Sequence, residues 1–119
     1  VYYVNYLKFM ERARTEYMRT LSFGKQYIFN HDLMFVVKKV ALDYRQPAQL
    51  DDSLQVTAQL VELGGASMVL RQSVMRADEV LVEGDIQIAC VSRDGVKVRR
   101  IPTEMRDILQ QQLPTGEEI

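Results

Sequence analysis

The sequence predicts an α+β domain, with one long amphipathic helix near its start and an antiparallel sheet packed around it. Three observations carry that expectation. Apolar residues recur at helical spacing over residues 5–21, the period changes to two after residue 32, and short turn signals join the later runs.

In the helix, Tyr6, Phe9, Met10, Ala13, Tyr17 and Leu21 define one face, and Lys8, Arg12, Thr15, Glu16 and Arg19 the other. Asn5 or a neighbour is placed to cap its start, and Gly24 lies just past its end, where a left-handed residue is wanted. Residues 24–32 read as a connection. Val36, Val40, Leu42 and Tyr44 then alternate with Lys39, Ala41, Asp43 and Arg45 in a long first strand, which Pro47 ends.

Residues 47–53 form a turn, and Leu54, Val56, Ala58 and Leu60 alternate with Gln55, Thr57 and Gln59 in a second strand. Gly64-Gly65 is a hairpin signal before a third strand, residues 67–76, which turns at Ala77-Asp78-Glu79. The fourth strand, residues 80–91, sets Val82, Gly84, Ile86, Ile88 and Cys90 on one face. Gly84 within it signals a bulge or a close backbone approach. After the turn at Arg93-Asp94-Gly95, residues 96–101 read as a short strand, Pro102 opens a last helical turn or two through Leu109, and residues 114–119 read as loose. This order suits two architectures, a hot-dog sheet curled around the helix or a cystatin-like sheet that cups it less fully. Periodicity alone does not choose between them.

The 119 residues are 47% hydrophobic, enough for one packed core and one domain spanning residues 1–119. Charged residues make up 26% and leave a net charge of -1, which gives no whole-molecule attraction to nucleic acid or to an anionic membrane. No apolar run approaches the roughly 20 residues that span a bilayer, so no membrane insertion is expected. Cys90 stands alone in an apolar run and reads as an inert core thiol. A cytoplasmic protein is expected.

Particular residues carry a resemblance. Val1-Tyr2-Tyr3-Val4-Asn5-Tyr6 followed by Phe9, Glu11 and Arg14 resembles the opening of the central helix in the 4-hydroxybenzoyl-CoA thioesterase family. Glu11-Arg12-Ala13-Arg14-Thr15-Glu16 is similar to its Tol-Pal-associated acyl-CoA thioesterase branch, as are Phe35-Val36-Val37-Lys38-Lys39 and the stretch from Tyr44-Arg45-Gln46-Pro47 to Asp51-Asp52. Gly65-Ala66-Ser67-Met68-Val69 fits that branch's next hairpin. The resemblance implies a hot-dog fold and hydrolysis of acyl-CoA thioesters to free acid and CoA, with no metal or organic cofactor. It also implies an aspartate acting as base or nucleophile ahead of Val1, so the first strand and catalytic loop are expected before residue 1. Tyr3 departs from the branch, which usually has His at that position; the hydroxybenzoyl branch has Tyr.

Thioester hydrolysis needs a carboxylate and donors for the developing oxyanion. A helix N-terminus supplies unpaired N–H groups and a positive dipole end. The resemblance assigns the oxyanion donor to the backbone amide of Tyr3, where the side chain matters little. Tyr2 and Tyr6 are then substrate-binding candidates, although all three tyrosines also suit core packing. Glu11 is either a solvated residue paired with Arg14 or Thr15, or a carboxylate lining the acyl pocket. Were no aspartate to precede the chain, Glu11 would be the best remaining base. Ser67 matches a family Ser or Thr near the partner subunit's site, or serves turn chemistry only; no G-x-S-x-G surrounds it.

For the CoA phosphates the basic candidates are Lys97 and Arg99, with Arg93 and Arg100 beside them, and Arg71 and Arg76 along a strand. Charges on an edge strand equally serve to block aggregation. His31 has no second His or Cys ligand to join it in a metal site. The long strands suit pairing of two sheets, so a homodimer is expected, and a homotetramer by resemblance. Two other readings stay open: a hot-dog dehydratase, which would need a His near the helix start, and a non-catalytic acyl- or CoA-binding or scaffold domain.

Overall fold

The computed structural model describes residues 3–49 and 52–114, and side chains from Tyr6 onward. Its elements run α1 (Tyr3–Thr20), α2 (Lys25–Asn30), β1 (Met34–Tyr44), β2 (Gln55–Val56), β3 (Gln59–Leu63), β4 (Ser67–Arg76), β5 (Glu79–Val91) and α3 (Thr103–Gln110). All pairings are antiparallel, in the order β1-β5-β4, with β2 and β3 both on the far side of β4. The fold is the expected α+β arrangement, a sheet around one long central helix.

The core lies between α1 and the inward face of β4 and β5. Tyr6, Met10 and Met18 of α1 meet Met68, Leu70 and Val74 of β4 and Val82, Ile86, Ile88 and Cys90 of β5. Burying each of the larger apolar side chains contributes about 1.5–3 kcal/mol, so this facing pair of layers carries most of the stabilisation. Cys90 is wholly buried there, as expected, and desolvation pushes its thiol up despite the Arg99 charge.

Several local expectations need correction. Asn5 lies inside α1, which already begins at Tyr3. The left-handed residue after the helix is Ser22 (φ 77°), not Gly24, whose backbone is extended (φ −78°, ψ −168°). The amide of Ser22 bonds the Arg19 carbonyl and that of Phe23 bonds the Met18 carbonyl, while the Phe23 ring is buried. This is a Schellman closure, so the chain turns two residues earlier than the glycine indicated. Gly24 instead opens α2, a short helix within the supposed connection of residues 24–32.

The second strand is divided at Thr57 and Ala58: the Thr57 amide still donates to the Ser73 carbonyl at 2.9 Å, but the Ser73 amide donates to the Thr57 hydroxyl at 3.1 Å, and the register shifts again between Leu60 and Glu62. Residues 96–101 form no strand, only a bridge between Val91 and Val98, with Val96 and Val98 exposed. Gly84 marks a close approach, not a bulge: a Cβ there would lie 2.7 Å from the Ala41 carbonyl oxygen and 2.3 Å from Leu42 Cδ2. The residue pairs run regularly through it, Leu42 opposite Gly84 and Gly84 opposite Gln72. In β1, Val40 and Tyr44 are exposed although the alternation put them on the apolar face.

Candidate active site

α1 begins at Tyr3, two residues ahead of the apolar period, and no Pro or Gly interrupts the residues that follow. Its first amides, Tyr3 included, have no carbonyl one turn back within the helix to bond. The positive end of the dipole therefore lies at the residue expected to bind the oxyanion. Tyr2 lies outside the described residues.

Tyr6 is a core residue, 4% exposed, whose hydroxyl accepts a hydrogen bond from the Ala48 amide at 3.2 Å. Its ring lies 6.0 Å from that of Tyr44. It therefore anchors the end of β1 and the Pro47 turn to the start of the helix.

Glu11 is exposed at the rim of a cavity of about 500 Å³ that opens between α1, α2 and the first residues of β1. Arg14 lines the same cavity, and its guanidinium donates to Gln72 Oε1 at 2.9 Å, not to Glu11. Gln72 is fully buried on β4 and donates through Nε2 to the Met10 carbonyl at 2.9 Å and the Thr57 carbonyl at 3.3 Å. One side chain thus ties the helix backbone, β4 and the cavity arginine together. Burial draws Arg14 below the ordinary guanidinium range, and the nearby Glu11 charge opposes that shift. The hydroxyl of Thr15 bonds the Glu11 carbonyl at 3.1 Å and not its carboxylate.

Sequence reasoning missed Gln72 and α2 as parts of this region. Gln72 carried a signal, since it interrupts the apolar alternation of Met68, Leu70 and Val74 at an inward position. α2 carried none, because a six-residue helix is too short for periodicity to stand out.

Ser67 starts β4 opposite Ala89, and its carbonyl accepts the Gly64 amide at 2.7 Å, closing the hairpin. The basic candidates are largely engaged. Arg76 donates to Asp52 at 2.8 Å and to Glu79 at 2.5 Å, so it would have to release one to receive a phosphate. Arg71 holds Asp85, its cross-strand partner. Arg99 bonds Asp32 at 2.8 Å, and Arg93 lies 4.0 Å over the Phe29 ring. Lys97 is exposed on the loop after β5. His31 stacks on Tyr27 with centroids 3.9 Å apart, remote from the start of α1 in sequence and tied to α2. Among the described residues, no three His, Cys, Asp or Glu side chains gather as metal ligands, and no helix is long and apolar enough to cross a membrane.

A sheet curled on one long helix is the frame of the hot-dog fold. The sequence profile of the thioesterase superfamily matches residues 1–83, and the chain belongs to that superfamily. Among its relatives, the acyl-CoA thioesterase YbgC of Haemophilus influenzae is 41% identical over 107 residues, covering 89% of this chain and 79% of that protein. The long-chain acyl-CoA thioesterase FadM of Escherichia coli is 34% identical over 108 residues, covering 89% of this chain and 81% of that protein. Of solved structures, a probable thioesterase from Bartonella henselae superposes with a TM-score of 0.80 at 31% identity, over 86% of this chain and 85% of that one. The probable thioesterase YbaW from Escherichia coli gives 0.79 at 32% identity, over 96% and 86%.

Proposed function

We propose that the protein hydrolyses acyl-CoA thioesters to a free acid and CoA without a metal or organic cofactor. The observation that carries this reading is the start of α1 at Tyr3 in a chain of the thioesterase superfamily. The Tyr3 amide polarises the thioester carbonyl and holds the oxyanion, and an aspartate ahead of Val1 attacks the carbonyl or activates a water. Glu11 is the second carboxylate of the site, at the rim of the cavity. Ser67, Lys97, Arg99 and Arg76 are secondary contacts in this reading, the cations toward the CoA phosphates. Relatives at 41% and 34% identity bear acyl-CoA thioesterase names, which supports CoA as the thiol carrier. The residues from Glu11 to Glu16 and the turn after Tyr44 favour the Tol-Pal-associated branch. A lone buried thiol accords with a cytoplasmic location.

The functional unit in this reading is a dimer paired along β1, or a tetramer built from such dimers. β1 is an edge strand of 11 residues, and Val37 and Val40 expose 49% and 41% of their surface. A two-fold axis through the bond between Val40 and Ala41 would set Lys38 of one copy opposite Asp43 of the other, a self-complementary charge pair.

A substitution that deletes only the N–H tests the oxyanion assignment. Proline is tolerated at the first helical position, so Tyr3→Pro should keep the fold yet lower kcat by about 100-fold or more, while Tyr3→Phe stays near the parent. Equal activity of the two variants on acyl-CoAs, read as free thiol, would refute the donor role. Light scattering on full-length protein tests the assembly; a monomer with full activity overturns the shared site.

A further inference from the structure

We infer that the cavity between α1, α2 and β1 is the far end of an acyl channel, and that the preferred substrates are thioesters of long, unbranched fatty acids. This rests on the hydrolase reading above and adds what that reading leaves open, the class of acyl group.

β1 runs antiparallel beside α1. Tyr6 and Tyr44 meet at one end, and Met18 and Met34 line the cavity at the other. A single helical stripe of Leu7, Glu11, Arg14 and Met18 leads from the first turn of α1 into that cavity. The helix rise puts Glu11 about 12 Å and Met18 about 22 Å from the Tyr3 amide. An extended hydrocarbon with bonds of about 1.5 Å advances about 1.25 Å per carbon, so about ten carbons reach Glu11 and about eighteen reach Met18. An aromatic or short acyl group held at Tyr3 stops before the cavity begins.

The wall chemistry fits the end of such a chain. Past the rim of Glu11, Arg14 and Lys25, the cavity is lined by Met18, Phe23, Ile28, Met34, Phe35 and Ile88. No ionisable side chain stands among those six, and two are thioethers, which adapt to a flexible hydrocarbon. The volume of about 500 Å³ lies within the range that holds extended small-molecule ligands. Gln72 fixes the Arg14 guanidinium toward β4, so this cation is held at the rim of the cavity.

The test is a chain-length series on full-length protein, from butyryl- through hexanoyl- and decanoyl- to palmitoyl-CoA, together with two narrowing variants. Met18→Trp fills the cavity from α1, and Ile28→Trp fills it from the half-buried face of α2, where folding is less at stake. The parent should show kcat/KM rising toward palmitoyl-CoA. Each variant that keeps the parent's circular dichroism spectrum should lower the palmitoyl-to-hexanoyl ratio by about tenfold or more. A parent optimum at hexanoyl-CoA, or a ratio unmoved by Ile28→Trp, overturns the inference. Calorimetric titration with palmitate reads the cavity apart from catalysis: saturable binding that Ile28→Trp abolishes supports it, and no binding overturns it. A protein that binds palmitate but cleaves no thioester defeats the hydrolase reading and leaves the cavity assignment standing. One that cleaves only short esters and binds no palmitate does the reverse.

Discussion

β1 and β5 are paired along nearly their whole lengths, yet they live in different surroundings. β5 buries Val82, Gly84, Ile86, Ile88 and Cys90 at alternate positions. β1 shows the same kind of alternation in sequence but leaves Val37, Val40 and Tyr44 exposed. The difference is position in the sheet. β5 lies between two strands and beneath the α1 layer, whereas β1 is the edge, paired on one side only among the described strands. Alternation therefore reports that a strand has a surface to cover, and not that its own chain supplies the cover.

The sharpest way to test that contrast is a pair of truncations. Leu70→Ala on β4, at a fully buried site, should cost about 3 kcal/mol in urea unfolding, through lost transfer energy and the cavity left behind. Val40→Ala on β1 should cost less than about 1 kcal/mol under conditions that keep the protein monomeric. Equal losses would mean that the two strands are buried alike in solution.

Gly84 is where the two regions are forced together. Gly84→Val places a Cβ against the Ala41 carbonyl and must push β1 off β5, with an expected loss of about 2–3 kcal/mol in the same assay. The carbonyl is backbone and cannot swing aside as the Leu42 side chain can. An unchanged midpoint would show that β1 yields freely.

The smallest effect is the response of the interior to alkali. The Cys90 thiol is pushed up by burial, so the folded state holds its proton to higher pH than the unfolded chain does. The linked stability is fully present below the ordinary thiol range and declines as pH rises through it toward the raised folded value. Cys90→Ala should remove that alkaline slope, measured as urea midpoint against pH. A slope that persists unchanged would place its origin elsewhere.

Much of the architecture could be read before any coordinates. β4 was legible to the residue and the body of α1 to within two residues at its start, because a sustained period of 3.6 or 2 survives in any tertiary setting. Ser22 defeated the glycine rule because the Schellman hydrogen bonds and the buried Phe23 ring fix the turn, and a serine accepts the strain. The break in the second strand was invisible because Thr57 and Ala58 keep the alternation while the Thr57 hydroxyl becomes the acceptor for the Ser73 amide of β4. Of the candidate site, the family resemblance, not the periodicity, placed Tyr3 at a helix start, with Glu11 two turns in. It could not show that Arg76 and Arg99 are already held by carboxylates, since Asp52 and Asp32 lie far away along the chain.

By itself, then, the chain determined α1, β4 and β5 with their apolar faces, and its kinship, all of which are written in local periodicity and residue order. Only the tertiary structure decided that Gln72 joins Met10, Thr57 and Arg14, that α2 and β1 enclose a cavity against α1, and that β1 stands at an edge. Those facts depend on which distant segments are brought within hydrogen-bond or van der Waals reach, and no spacing along one strand or helix encodes that distance.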